Sequence, residues 1–161
     1  MFDPETLALA EEVLALCRAR NWHLATAESC TGGLVAAALT AIAGSSDVVE
    51  RGFVTYSNAA KTEMLGVPVA LIDTHGAVSG PVAAAMAEGA LAHAPVNLAV
   101  SVTGIAGPGG ATPGKPVGLV WFGLARRGAP VGTEHHIFTG DRSAVRRAAV
   151  VRALALLAGA M

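Results

Sequence analysis

Charge is scarce in this chain. Asp, Glu, Lys and Arg together make up 14% of its 161 residues, against 53% apolar. The net charge is −1 with His neutral, which offers no basis for nucleic acid or an anionic membrane as partner. Cysteine is scarce too: Cys17 and Cys30 are too few for a disulfide framework. The start, MFDPETLALAEE, is acidic rather than basic-then-apolar, so no secretory signal is read there and a reduced, cytoplasmic protein is expected. No run suits a membrane span, because the uncharged stretch 89–114 is broken by Pro95, Pro108, Pro113 and several glycines. Lysine is the scarcest charged residue. Of 11 basic residues only Lys61 and Lys115 are lysines. A desolvated lysine can lose its proton whereas arginine effectively keeps its own, so a lysine retained in an Arg-biased chain is a candidate for chemistry.

What is present is a dense, alanine-rich globule of the length of one domain, spanning 1–161. Its apolar excess favours a homo-oligomer, with a dimer first among the possibilities. Asp3, Pro4 and Glu5 mark a helix start, and Leu7, Ala10, Val13, Leu14 and Cys17 form its apolar stripe. WHLATA (22–27) reads as a strand, followed through ESCTGG by an apolar helix closed at Gly44. GFVTYS (52–57) reads as a second strand, then a short helix with Asn58 as its N-cap and Gly66 as its end. PVALIDTHG reads as a brief helical turn, and Ser79 with Pro81 starts a longer helix. VNLAVSVTG (96–104), VGLVWFGLA and TEHHIFT read as strands before a final helix capped by Asp141. Early strands alternate with helices and late strands follow one another directly. The expected fold is a three-layer α/β/α sandwich with a mixed, mainly parallel sheet.

Three segments run from a strand into small polar residues: TAESCTGG, TYSNAAK and SVTGIAGPGG. In open α/β sheets such strand ends share one ligand crevice. In the first, Ser29 and Cys30 are adjacent candidate nucleophiles. Thr31, Gly32 and Gly33 offer backbone N–H groups to a phosphate or an oxyanion. An ordinary Ser/Thr helix cap with glycines easing a turn explains the same pattern. In the second, Lys61 falls in the first turn of a helix, the adverse end of the dipole for a cation, where a lowered pKa would suit a general base. A solvated surface lysine is the plainer reading. In the third, Thr103 and Gly104 lead a glycine-rich loop that reads as wrapping a polar ligand or as a flexible connection. Arg142 at the last helix start suits a phosphate or carboxylate, or solvent. His135 and His136 point to opposite faces of a strand and the other histidines lack ligand spacing, so no metal is expected.

Six blocks of the chain, TAESCTGG, GSSDVVERGFVTYSNAAKTEMLGV, HGAVSGPVA, VSVTGIAGPGG, KPVGLVWFGLA and GDRSAVRR, resemble the CinA C-terminal-domain family in order and over nearly the whole length. The resemblance implies hydrolysis of nicotinamide mononucleotide to nicotinate mononucleotide and ammonia, in pyridine-nucleotide salvage, by a serine–lysine mechanism that needs no cofactor. It implies Ser29 as nucleophile, Lys61 as base and Tyr56 as an assisting group. Cys30, Thr31, Gly32, Gly33, Asn58, Thr103, Gly104 and Arg142 fall in matched blocks as substrate contacts. Longer members carry an N-terminal pyrophosphatase domain, for which 161 residues leave no room. Two rivals stand beside this reading. One makes Cys30 the nucleophile, its pKa depressed at a helix N-terminus. The other is a non-catalytic nucleotide-binding or regulatory module.

Overall fold

Small residues decide how closely the layers of this molecule approach. In the computed structural model, which describes residues 1–161, the helices are α1 (Pro4–Arg20), α2 (Leu34–Thr40), α3 (Asn58–Leu65), α4 (Val69–His75), α5 (Gly80–His93) and α6 (Arg142–Gly159). The strands are β1 (Leu24–Glu28), β2 (Val49–Val54), β3 (Leu98–Gly104), β4 (Leu119–Arg126) and β5 (Gly132–Ile137). They form one sheet in the order β2-β1-β3-β4-β5. β1 runs parallel to both β2 and β3, while β4 and β5 are antiparallel to their neighbours. The sheet is therefore mixed, as expected, but parallel only in its first three strands.

Period-2 alternation sends β1 and β3 side chains to two different layers. Leu24, Leu98, Val100 and Val102 join a core with Leu14 of α1, Leu39 of α2 and Leu154 of α6. Ala25, Ala27 and Ala99 face the other way, onto Val82, Met86 and Ala90 of α5. Alanine on that side lets α5 lie close to the strands. The contact is closest at β4, where a Cβ on Gly123 would sit 2.3 Å from the Ala83 carbonyl oxygen. The helix after β1 packs on one face and the long helix before β3 on the other. The chain thus changes face around β1, and a crevice opens beyond the carboxyl ends of its parallel strands.

Local signals fix most boundaries. Asp3 Oδ1 accepts from Thr6 N at 2.8 Å, Pro4 is the first residue of α1, and Asn21 closes it in the left-handed conformation. Three expectations shift. Ser57, not Asn58, caps α3, its Oγ accepting from Ala60 N at 3.0 Å. β2 accordingly ends at Val54, which leaves Tyr56 beyond the strand. The helix expected to reach Gly44 stops at Thr40, whose hydroxyl turns back to the Ala36 carbonyl at 2.8 Å.

Candidate active site

β1 delivers Ser29 to the carboxyl edge of the sheet, where its N–H donates to the Val102 carbonyl of β3 at 2.9 Å. The chain then doubles back: Gly32 N donates to Ser29 O and Leu34 N to Thr31 O. Gly32 and Gly33 take φ values of +58° and +100°, a left-handed backbone that any Cβ would strain. Glu28, fully buried, accepts from Val35 N at 2.8 Å and Ala36 N at 3.0 Å. The first-turn donors of α2 are thus already taken by a carboxylate. The backbone donors of the turn left without a backbone acceptor belong to Cys30, Thr31 and Gly33. Anion-binding capacity lies in the turn itself rather than in the helix start.

Lys61 meets Ser29 in space. Its Nζ lies 3.1 Å from Ser29 Oγ and donates to the Thr55 carbonyl at 2.9 Å. The side chain is 1% exposed, which excludes the surface-lysine reading. Burial, the leading cause, lowers its pKa from the ordinary lysine value, with the neighbouring Cys30 thiol pulling the other way. Desolvation thus acts in the direction expected from the position of Lys61 in the first turn of α3. Cys30 responds oppositely. Burial and the Glu28 charge push its thiol up to about 11, outweighing Arg146 and Lys61. The depressed pKa expected of a cysteine at a helix start is absent, and a neutral thiol is a poor nucleophile. Buried beside this pair, the hydroxyls of Thr31 and Thr55 make no hydrogen bond within the protein.

The other candidates spread outward. Tyr56 is 60% exposed and its hydroxyl accepts from the Arg142 guanidinium at 2.9 Å. The same arginine donates to the Gly107 carbonyl at 2.8 Å, so it ties the Tyr56 segment to the glycine loop. Asn58 lines an open cavity of about 370 Å³ with Thr62, Glu63 and Asp73, away from the Ser29–Lys61 pair. The Thr103 hydroxyl donates to the Ala77 carbonyl at 2.9 Å. A Cβ on Gly104 would lie 2.7 Å from the Val120 side chain and 2.9 Å from the Leu119 carbonyl oxygen. Both residues thus have work inside the fold.

Two groups escaped the sequence reading. Glu28 looked like part of a strand, and only the register of β1 and α2 makes it the cap of α2. Arg146 donates from Nε to the Cys30 carbonyl at 3.1 Å and from its terminal nitrogen to the Thr31 carbonyl at 3.2 Å. A signal existed for the second: Arg142 and Arg146 are four residues apart, and so share a face of α6. No three His, Cys, Asp or Glu side chains come together anywhere in the chain, and no helix is long and apolar enough to cross a membrane.

A family model described as the CinA C-terminal domain matches residues 6–161. The nicotinamide-nucleotide amidohydrolase PncC of Escherichia coli K12 is 52% identical over 157 residues, covering 98% of this chain and 95% of that protein. A CinA-like protein of Akkermansia muciniphila is 50% identical over 94% of this chain but 37% of its own length. The crystal structure of the competence/damage inducible protein CihA from Agrobacterium tumefaciens superposes with a TM-score of 0.96 at 46% identity, over 99% of this chain and 97% of that one.

Proposed function

The chain belongs to the CinA C-terminal domain family, and on that premise we propose that it is a nicotinamide-nucleotide amidohydrolase working through Ser29 and Lys61. The observation that carries the proposal is the buried Lys61 Nζ held 3.1 Å from Ser29 Oγ. The near-full-length likeness to the Escherichia coli amidohydrolase supports the choice of substrate.

In this mechanism neutral Lys61 directs its lone pair at the Ser29 hydroxyl while one N–H remains on the Thr55 carbonyl. Ser29 Oγ attacks the carboxamide carbon of nicotinamide mononucleotide as its proton passes to Nζ. The oxyanion is stabilised by the free N–H groups of the 30–33 turn. Collapse breaks the C–N bond, and the proton on Nζ goes to the leaving nitrogen, which departs as ammonia. Water then attacks the Ser29 ester, Nζ takes its proton and returns it to Oγ, and nicotinate mononucleotide is released. A base so placed contributes about 100- to 10,000-fold in rate. Arg142 and the glycine loop are assigned to the nucleotide phosphate and Tyr56 to the rim. The product places the enzyme in pyridine-nucleotide salvage.

The test is ammonia release from nicotinamide mononucleotide by purified protein. Tight nucleotide binding with no ammonia from any pyridine carboxamide nucleotide would instead identify a binding module.

A further inference from the structure

The mechanism leaves α6 without a task at the reacting end. From α6, Arg146 holds two successive carbonyls of the nucleophile turn, Cys30 O at 3.1 Å and Thr31 O at 3.2 Å. The first of these belongs to the peptide whose other end is the Thr31 N–H, a donor without a backbone acceptor. A trans peptide is planar, with C=O and N–H pointing opposite ways. Fixing the Cys30 carbonyl toward α6 therefore fixes the Thr31 N–H away from it. A cation on the carbonyl also draws electron density out of the peptide and makes that N–H a stronger donor. Left-handed glycines follow at 32 and 33, so the turn has backbone freedom that something must restrain. Glu28 restrains it from the α2 side by holding Val35 N and Ala36 N. Arg146 restrains it from the α6 side.

Resting on the proposed function, we infer that Arg146 is a positioning residue that aims and polarises the Thr31 N–H as an oxyanion donor, acting through the backbone without touching substrate. The guanidinium is reachable from outside, because Arg146 also lines an open cavity of about 370 Å³ with Phe2, Asp3, Thr6, Leu34 and Arg147. Small cations in solution therefore have access to the place a truncated Arg146 would leave.

The experiment measures the rate at which a fluorophosphonate labels Ser29, read by mass spectrometry, in the native sequence, Arg146→Ala and Arg146→Lys, beside ammonia release. Fluorophosphonate reacts through an oxyanion but needs no nicotinamide substrate, so it separates this inference from the choice of substrate. Arg146→Ala is expected to slow labelling and kcat by about 100-fold, the loss typical of one oxyanion donor. KM should stay within about threefold, and the pH profile set by Lys61 should not move. Millimolar guanidinium should restore part of the rate in Arg146→Ala and none in the native sequence. Arg146→Lys, which keeps the charge but not the fork, should fall between. Labelling of Arg146→Ala at near-native rate would overturn the inference. So would a slowed rate that guanidinium leaves unchanged in a variant with native thermal stability, since that marks bulk packing. Native protein that labels Ser29 yet releases no ammonia from nicotinamide mononucleotide would refute the substrate while leaving this test valid. Native protein that does not label at all would overturn both.

Discussion

Two glycine-bearing turns leave neighbouring strands of this sheet, and they look alike in sequence. TAESCTGG follows β1 and VTGIAGPGG follows β3. Their hydrogen bonds separate them. After β1, the N–H groups of Cys30, Thr31 and Gly33 have no backbone acceptor, and a buried lysine reaches Ser29. After β3, the loop is fastened to the sheet. Ile105 N donates to Leu119 O, Gly118 N to Ile105 O, and the Thr103 hydroxyl to Ala77 O. Glycines in the first turn keep backbone polar groups available, whereas Gly104 in the second makes room for β4 to pass. Free backbone donors alone do not distinguish the turns, since the N–H groups of Ala106, Gly107, Gly109 and Gly110 also lack a backbone acceptor. The buried lysine on Ser29 sets the first turn apart.

The largest effects are expected at the first turn. Ser29→Ala is expected to abolish ammonia release, with a loss beyond about a thousandfold and thermal stability little changed. Cys30→Ala keeps the backbone N–H and should cost at most about tenfold. The reverse ranking in a kinetic assay would move the nucleophile to Cys30.

Lys61→Arg should be inactive although the charge is kept, because a guanidinium does not give up its proton at working pH. Native activity should rise with pH on its acid limb as Lys61 deprotonates, with a midpoint below the ordinary lysine value of 10.5. The same group carries a stability signature. Its folded pKa is lowered, so between that value and 10.5 the unfolded chain binds more protons and stability rises with pH. Lys61→Met removes this dependence. Its thermal midpoint should exceed the native one most at low pH and converge with it as pH approaches 10.5.

The β3 loop should respond in the other currency. Thr103→Val removes the donor to Ala77 O and should lower unfolding free energy by about 1–3 kcal/mol in a denaturant titration, with a modest effect on kcat. A kcat collapse at unchanged stability would put Thr103 back among the substrate contacts.

The smallest effect belongs far from both turns. Hydrogen bonds from Arg152, and then His136, hold the Glu134 carboxyl down at about 2. Its contribution is present above the ordinary carboxylate value and is lost as pH falls toward 2. The group is partly solvated, so Glu134→Gln should cost less than about 1 kcal/mol at neutral pH and leave ammonia release alone.

How much of this was legible beforehand depended on the range of the interaction. Helix starts at Asp3, Ser79 and Asp141 are written in residues three apart, and all three caps form. The order of elements was legible because hydrophobic period changes between helix and strand. Cap assignment failed at Ser57 because two capping residues stand side by side and the strand's end decides between them. Motif matching supplied Ser29 and Lys61. Glu28 and Arg146 lie in matched blocks too, but their partners are backbone atoms, so beyond the spacing of Arg146 from Arg142 the side-chain pattern gave no role for either.

By itself the sequence determined the element order, the mixed sheet, the scarcity of lysine and the adjacency of Ser29 to Cys30. All of these follow from local propensity and composition. Only the tertiary structure brings a buried amine to one of those two residues. Lys61 is 32 residues from Ser29 along the chain and 3.1 Å from it across the crevice. Arg146 is 116 residues from Cys30, yet it holds that residue's carbonyl. Desolvation lowers the Lys61 pKa and raises that of Cys30 through a single cause acting on opposite charges, and burial of that kind is a property of the packed chain alone.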